Sequence, residues 1–175
     1  NVYQLSGRQT HVSQDEPTHF ARAALRGLTP EQFFDSVAGA VGYYQPYRSD
    51  NPFVVDMNSP RAQFLNLFRN NTESPLERET TILQALAMMN GTFINNATSI
   101  DDSQTLRAIA EFPAMGNDQK LETLFLSALG RRPAPEEQLR FGEYLSSGGA
   151  TDDSKAALAD VFWALLNSSE FLLNH

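Results

Sequence analysis

A chain of 175 residues without cysteine must draw any chemistry from carboxylates, imidazoles, hydroxyls and amides. The carboxylates come in close pairs: Glu136/Glu137, Asp152/Asp153, Asp101/Asp102 and Glu77/Glu79. A glycoside hydrolase needs two carboxylates facing each other across a cleft, roughly 5–10 Å apart. These pairs instead sit beside the starts of expected helices, where the macrodipole favours negative charge, so they read as caps. The histidines are His11, His19 and His175. None has a metal-ligating partner at one-turn spacing on a strong helix, so they read as structural or surface residues and no metal site is expected. His175 has the further option of capping the last helix or meeting an upstream domain. No Gly-x-Ser-x-Gly elbow activates a serine. Gly148-Gly149 lacks the Lys and the preceding strand of a phosphate loop.

The amides and aromatics are more informative. Asn90 follows Leu83, Leu86 and Ala87 at helical spacing and precedes Ile94. An amide at such a place must find partners, and tying a loop backbone to the core is the simplest use for it. Gln84, Gly91 and Asn95 would form a small polar stripe on the same helix, against another helix or an upstream segment. Trp163, the single tryptophan, stands about a third of a turn off the Leu158/Val161/Phe162/Leu165 stripe. It reads as a boundary core residue, with contact to a partner as the alternative. Gln84, Asn90, Asn95, Trp163 and His175 are therefore the candidate ligand or partner contacts. The Asn-x-Ser/Thr triplets at Asn70, Asn90, Asn96 and Asn167 read as ordinary asparagines.

Helices must position these residues. Thr29-Pro30-Glu31-Gln32 has the N-cap, first-position proline and capping-box glutamine of a helix start, and Gly42 is placed to end that helix. Its apolar stripe is Phe33, Phe34, Val37, Ala38 and Val41. Tyr43 to Asn58 reads as a structured loop. Ser59-Pro60 opens a second helix carrying Phe64, Leu65 and Phe68. A third is expected from Ser74-Pro75 to Asn96, apolar on more than one side and therefore central. Gln104–Phe112 closes at Pro113. Asn117 is expected to cap the next helix, with Leu121, Leu124, Phe125, Ala128 and Leu129 inward and Gly130 beyond its end. Another starts at Pro135-Glu136-Glu137 and stops near Gly148-Gly149. Thr151 or Asp152 is expected to cap the last long helix. One face of that helix cannot bury Phe162, Trp163, Leu165, Leu166, Phe171, Leu172 and Leu173 together. A turn near Asn167–Ser169 should return Phe171 and Leu172 or Leu173 to the core, while Val161, Phe162 and Leu165 pack on the central helix. The reading is all-α: one multi-helix bundle spanning 1–175, with 1–16 as an extended N-terminal arm.

Composition agrees. Apolar residues make up 41%, and 13 basic against 21 acidic residues give a net charge of −8. Such a chain repels phosphate backbones and anionic membrane surfaces, which argues against nucleic acid as a partner. No apolar run approaches the roughly 20 residues of a membrane span, so no direct insertion is expected. The chain starts without Met or a signal peptide and reads as a piece of something longer, with its address upstream.

Four blocks together resemble a known family: RAQFLNLF at Arg61–Phe68, TILQALAMMNG at Thr81–Gly91, LFLSALGRRPAPEE at Leu124–Glu137 and DVFWALLNSSEFLLNH at Asp160–His175. They are similar to the C-terminal domain of unknown function, number fifteen-fifty-three, of planctomycete-type cytochrome-associated surface proteins. The likeness runs from about Leu25 onward. Its most specific part is the closing block, with Trp163, Asn167, Glu170, Phe171, Asn174 and His175 in order. The resemblance implies an extracytoplasmic setting at the periplasm or cell surface and a large multidomain chain. It implies haem on an upstream domain, because this sequence has no Cys-x-x-Cys-His. It transfers no activity.

Two functions follow as expectations. The first is a non-enzymatic helical interaction or scaffold domain that meets upstream domains of its own chain or an envelope protein and holds no cofactor. The alternative is part of a hydrolytic, polysaccharide-processing enzyme completed by upstream segments. A cleft lined by Tyr43–Tyr47 with two converging carboxylates would favour the enzyme.

Overall fold

The first turn of each helix is fixed by a few short-range hydrogen bonds. In a computed structural model, described here for residues 11–12, 26–44, 57–69 and 91–174, helix α1 spans Pro30–Val41. The Thr29 hydroxyl accepts the Gln32 N–H at 3.2 Å, and the Gln32 side chain accepts the Thr29 N–H at 3.0 Å. This is the expected capping box, and it satisfies two donors that a bare helix end leaves open. Gly42 ends the helix at φ 72°, a left-handed conformation that costs glycine no steric strain.

Helix α2 is Pro60–Arg69, opened by Ser59, whose hydroxyl accepts the Ala62 N–H. Helix α3, Thr92–Ala97, starts after Gly91, whose backbone is extended at φ −65° and ψ 145°. A single helix running through to Asn96 is therefore corrected. Its part before residue 91 lies outside the described residues. An extended Gly91 also means that no continuous helical stripe passes through 91 to join Gln84 with Asn95. Glycine's high backbone freedom is the physical reason a helix breaks there.

Helices α4 (Gln104–Glu111), α5 (Asn117–Leu129), α6 (Pro135–Ser146), α7 (Ser154–Leu166) and α8 (Ser169–Leu172) follow. Two caps differ from expectation. Gly116, not Asn117, precedes α5, and the Gln119 side chain takes the Gly116 N–H at 3.2 Å. Asn117 reaches sideways toward the Ser146 hydroxyl. Asp153, not Thr151 or Asp152, caps α7 by accepting the Lys155 N–H at 2.8 Å. Asp152 is occupied with the turn itself, at φ 57°.

The described residues form an all-α fold, except for one two-residue antiparallel ladder. In it β1 (Arg26–Gly27) pairs with β2 (Leu173–Asn174), with Arg26 opposite Asn174 and Gly27 opposite Leu173. The core lies where α1, α4, α5, α6 and α7 meet. Its largest fully buried side chains include Phe34, Phe125, Phe162, Ile94 and Leu106. Helix α7 buries Ala157, Leu158, Val161, Phe162, Leu165 and Leu166 and packs on α4, α5 and α6. Each side chain of Val, Leu or Phe size buried in this way contributes roughly 1.5–3 kcal/mol. The turn at Asn167–Ser168 is present, and it does return Phe171 to the core, where it stands edge-on to Phe33 with ring centroids 5.9 Å apart. The expected arm over 1–16 lies outside the described residues, apart from the exposed His11 and Val12.

Candidate functional site

Among the described residues, one polar cluster joins the segment Arg131–Glu137 to Glu170. Gly130 ends α5 at φ 67°, which turns the chain and leaves Arg131 as the next residue. Pro133 and Pro135 then prevent helical continuation until α6 begins. That start places Glu137 one turn into α6, where its carboxylate accepts the Ala134 N–H at 2.7 Å. The third member, Glu170, comes from α8, 39 residues away in the chain.

Arg131 grips both carboxylates. Its Nε and Nη2 donate to Glu170 at 2.6 and 2.7 Å. Its Nη1 and Nη2 donate to Glu137 at 2.7 and 2.8 Å. Nη1 also donates to the Arg132 carbonyl at 3.0 Å. A guanidinium has five N–H donors, and these five bonds use them all. The guanidinium carbon also lies 5.4 Å from the centre of the Phe125 ring, a cation–π distance. The hydrogen bonds to Glu137, then those to Glu170, push the Arg131 pKa further above its ordinary range. The Arg131 bond holds Glu137 below the usual carboxylate range against the opposing effect of burial, and the Ala134 N–H adds to it.

A second polar pair joins α6 to α7. The Tyr144 hydroxyl donates to Asp160 at 2.7 Å, and this bond raises the tyrosine pKa. A Cβ on Gly149 would lie 3.0 Å from the Tyr144 ring carbon and hydroxyl, so glycine leaves the room this ring occupies. Arg61 of α2 forks onto Asp35 of α1 at 3.1 and 3.2 Å.

Of the expected site residues, Gln84, Asn90 and His175 lie outside the described residues. Asn95 is exposed on α3, which packs on α1, and its carbonyl accepts the Thr98 hydroxyl. Trp163 is half-buried and packs against the core. Its carbonyl takes both the backbone N–H of Asn167 at 3.1 Å and the side-chain amide at 2.8 Å. Among the carboxylate pairs, Glu137 and Asp153 hold helix starts, as expected of caps. Tyr43 stands edge-on to Phe34 and Phe93 in the aromatic cluster, whereas Tyr44 is 81% exposed. Tyr47 lies outside the described residues.

The sequence reading missed the Arg131–Glu137–Glu170 cluster as a unit. Arg131 and Glu137 are close in sequence but Glu170 is 39 residues from Arg131, and a three-way ion pair between distant segments leaves no periodic signal. Among the described residues no group of three His, Asp or Glu is placed to hold a metal ion. None of the described helices is long and apolar enough to cross a membrane. The chain matches no family model, no curated protein and no solved structure.

Proposed function

We propose that this chain is a non-enzymatic helical interaction or scaffold domain of a large multidomain cell-envelope protein. In this reading it works outside the cytoplasm and meets upstream domains of its own polypeptide or an envelope protein. Any haem of the whole protein is carried upstream. One observation carries the reading: the polar residues around Arg131 and at the Asn167–Ser168 turn are engaged in holding the fold together. All five donors of Arg131 are engaged by Glu137, Glu170 and a backbone carbonyl. Asn167 and Ser168 bond to the last turn of α7. A catalytic pair needs acceptors and donors left for substrate, and the two carboxylates here are instead both bonded to the one Arg131 fork.

The test uses the domain together with the polypeptide that precedes it in the intact protein. The two are produced separately, mixed and followed by calorimetry and size-exclusion chromatography. The expected result is a stoichiometric complex. The reading is overturned if the joined protein releases sugar from a polysaccharide and Glu136→Gln or Asp160→Asn abolishes that release without unfolding the domain.

A further inference from the structure

Four helices end at covalent stops. α1 ends at Gly42, α5 at Gly130 and α6 near Gly148 and Gly149, all four glycines at positive φ. α4 runs into Pro113. The break between α7 and α8 has no such stop. Its sequence is Leu166-Asn167-Ser168-Ser169, and Asn167 sits at φ −96° and ψ 5°, a modest rotation from helical values. The Asn167 N–H already donates to the Trp163 carbonyl at 3.1 Å, and the Leu172 N–H to the Ser168 carbonyl at 3.2 Å. Both are one-turn helical bonds. The bend itself is held locally: the Ser168 hydroxyl accepts the Phe171 N–H and donates to the Leu165 carbonyl, and the Asn167 side-chain amide donates to the Trp163 carbonyl.

The tail beyond the bend, Ser169–Asn174, is held by distant partners. Glu170 lies on Arg131, and Phe171 stands edge-on to Phe33. The Leu28 N–H donates to the Leu172 carbonyl at 3.1 Å. Leu173–Asn174 pair with Arg26–Gly27. The seat therefore combines an arginine fork, an aromatic edge and a strand edge, each matched to one tail residue.

We propose that this tail exchanges between two copies of the chain. Helix α7 straightens through Asn167 and Ser168 into one helix reaching Leu172. Each tail then docks on Arg131, Phe33 and β1 of the other copy. The docking contacts are the same in both forms, so exchange leaves them unchanged and the balance depends on the hinge and on protein concentration. The hinge is short, Asn167 and Ser168, and short hinges invite such exchange. A second copy supplies a carboxylate, a phenyl ring and a strand in the register the seat requires, and this selects it as the occupant. The proposal deepens the interaction reading, on which it rests, by naming one partner as the chain itself.

The natural chain has no cysteine, so a clean trap exists. Arg26→Cys is placed in one chain and Asn174→Cys in another, at positions that face each other across the ladder. In a closed monomer each new thiol faces a native residue. In an exchanged dimer it faces the thiol of the other variant. The two variants are mixed at high concentration, warmed below the melting transition, cooled and oxidised. The products are read by mass spectrometry. Exchange predicts mixed-chain disulfides in excess of random pairing, rising with concentration, and a helix content slightly above that of the dilute protein. Random pairing at every concentration overturns the proposal. A complex with the upstream polypeptide, measured alongside random pairing, would keep the interaction reading and remove the exchange. A second pair of variants, Arg131→Glu and Glu170→Arg, checks the same seat. Each faces its own tail with like charge, and a native-type pair returns only between chains. Mixing is expected to give a mixed dimer by sedimentation. A mixture in which both variants are folded and stay monomeric would contradict exchange.

Discussion

Arg131 shows how one side chain can fix the packing of three segments. Its planar fork presents five donors in rigid directions, whereas lysine offers a compact charge on a flexible stem. Arg131→Lys keeps the charge and loses the fork. At a site about one-third exposed, solvent screening limits the loss, and we expect about 1–2 kcal/mol by urea denaturation. Arg131→Met should cost at least as much, because it leaves two carboxylates side by side without their cation. The pH dependence has a definite sign. Glu137 has its pKa lowered in the fold, chiefly by its bond from Arg131. Its contribution is therefore complete above the unfolded value of about 4.3 and is lost as pH falls through the lower folded value. Thermal melts should show a constant gap between the natural protein and Glu137→Gln from neutral pH down to about pH 5. That gap should close in more acidic buffer. A gap that widens on acidification would mean that another group controls this region.

Helix ends were the part of the structure most legible in the sequence. Thr29, Pro30 and Gln32 act within one turn of each other, and local chemistry of that kind is written in neighbouring residues. The positions of Asp153 and Gly116 were displaced by one or two residues, because Asp152 and Asp153, or Gly116 and Asn117, are comparable caps in isolation. The choice between them is made by the turn that precedes each helix. The Arg131 cluster was not legible, since Glu170 meets Arg131 only after α7 has crossed the core. Nor was the start of α3 at Thr92, where apolar spacing continues through a glycine that is extended in the fold. Glycines differ in a way that can be measured. Gly130 has a positive φ and open space around a would-be Cβ, whereas a Cβ on Gly148 would stand 2.7 Å from the Asp152 carbonyl carbon. Gly130→Ala should cost about 1–2 kcal/mol for its left-handed backbone. Gly148→Ala should cost clearly more, because the turn before α7 must also shift. Ser103 links two elements. Its hydroxyl accepts the Leu106 N–H to start α4 and donates to the Val41 carbonyl at the end of α1, and the residue is fully buried. Ser103→Ala is expected to destabilise by about 1–3 kcal/mol in equilibrium unfolding, and a neutral result would refute the link.

Across the whole molecule, stability depends on contacts between segments far apart in sequence. Phe171 reaches Phe33, and Phe33 stacks near Phe64, so three segments share one aromatic row. Phe171→Ala should cost about 3 kcal/mol in guanidinium unfolding. A cost near zero would place this ring outside the cooperative core. The ladder between Arg26–Gly27 and Leu173–Asn174 also has a mechanical meaning. Arg26 and Asn174 face each other at one end of this antiparallel pair. Tension applied between residues 26 and 174 opens the ladder bonds one after another, as a zip, instead of shearing them together. The domain should then yield first at its tail, at low force, with Phe171 leaving its place before the five central helices separate. A body tethered in this way gives up its ends early under load and keeps its core.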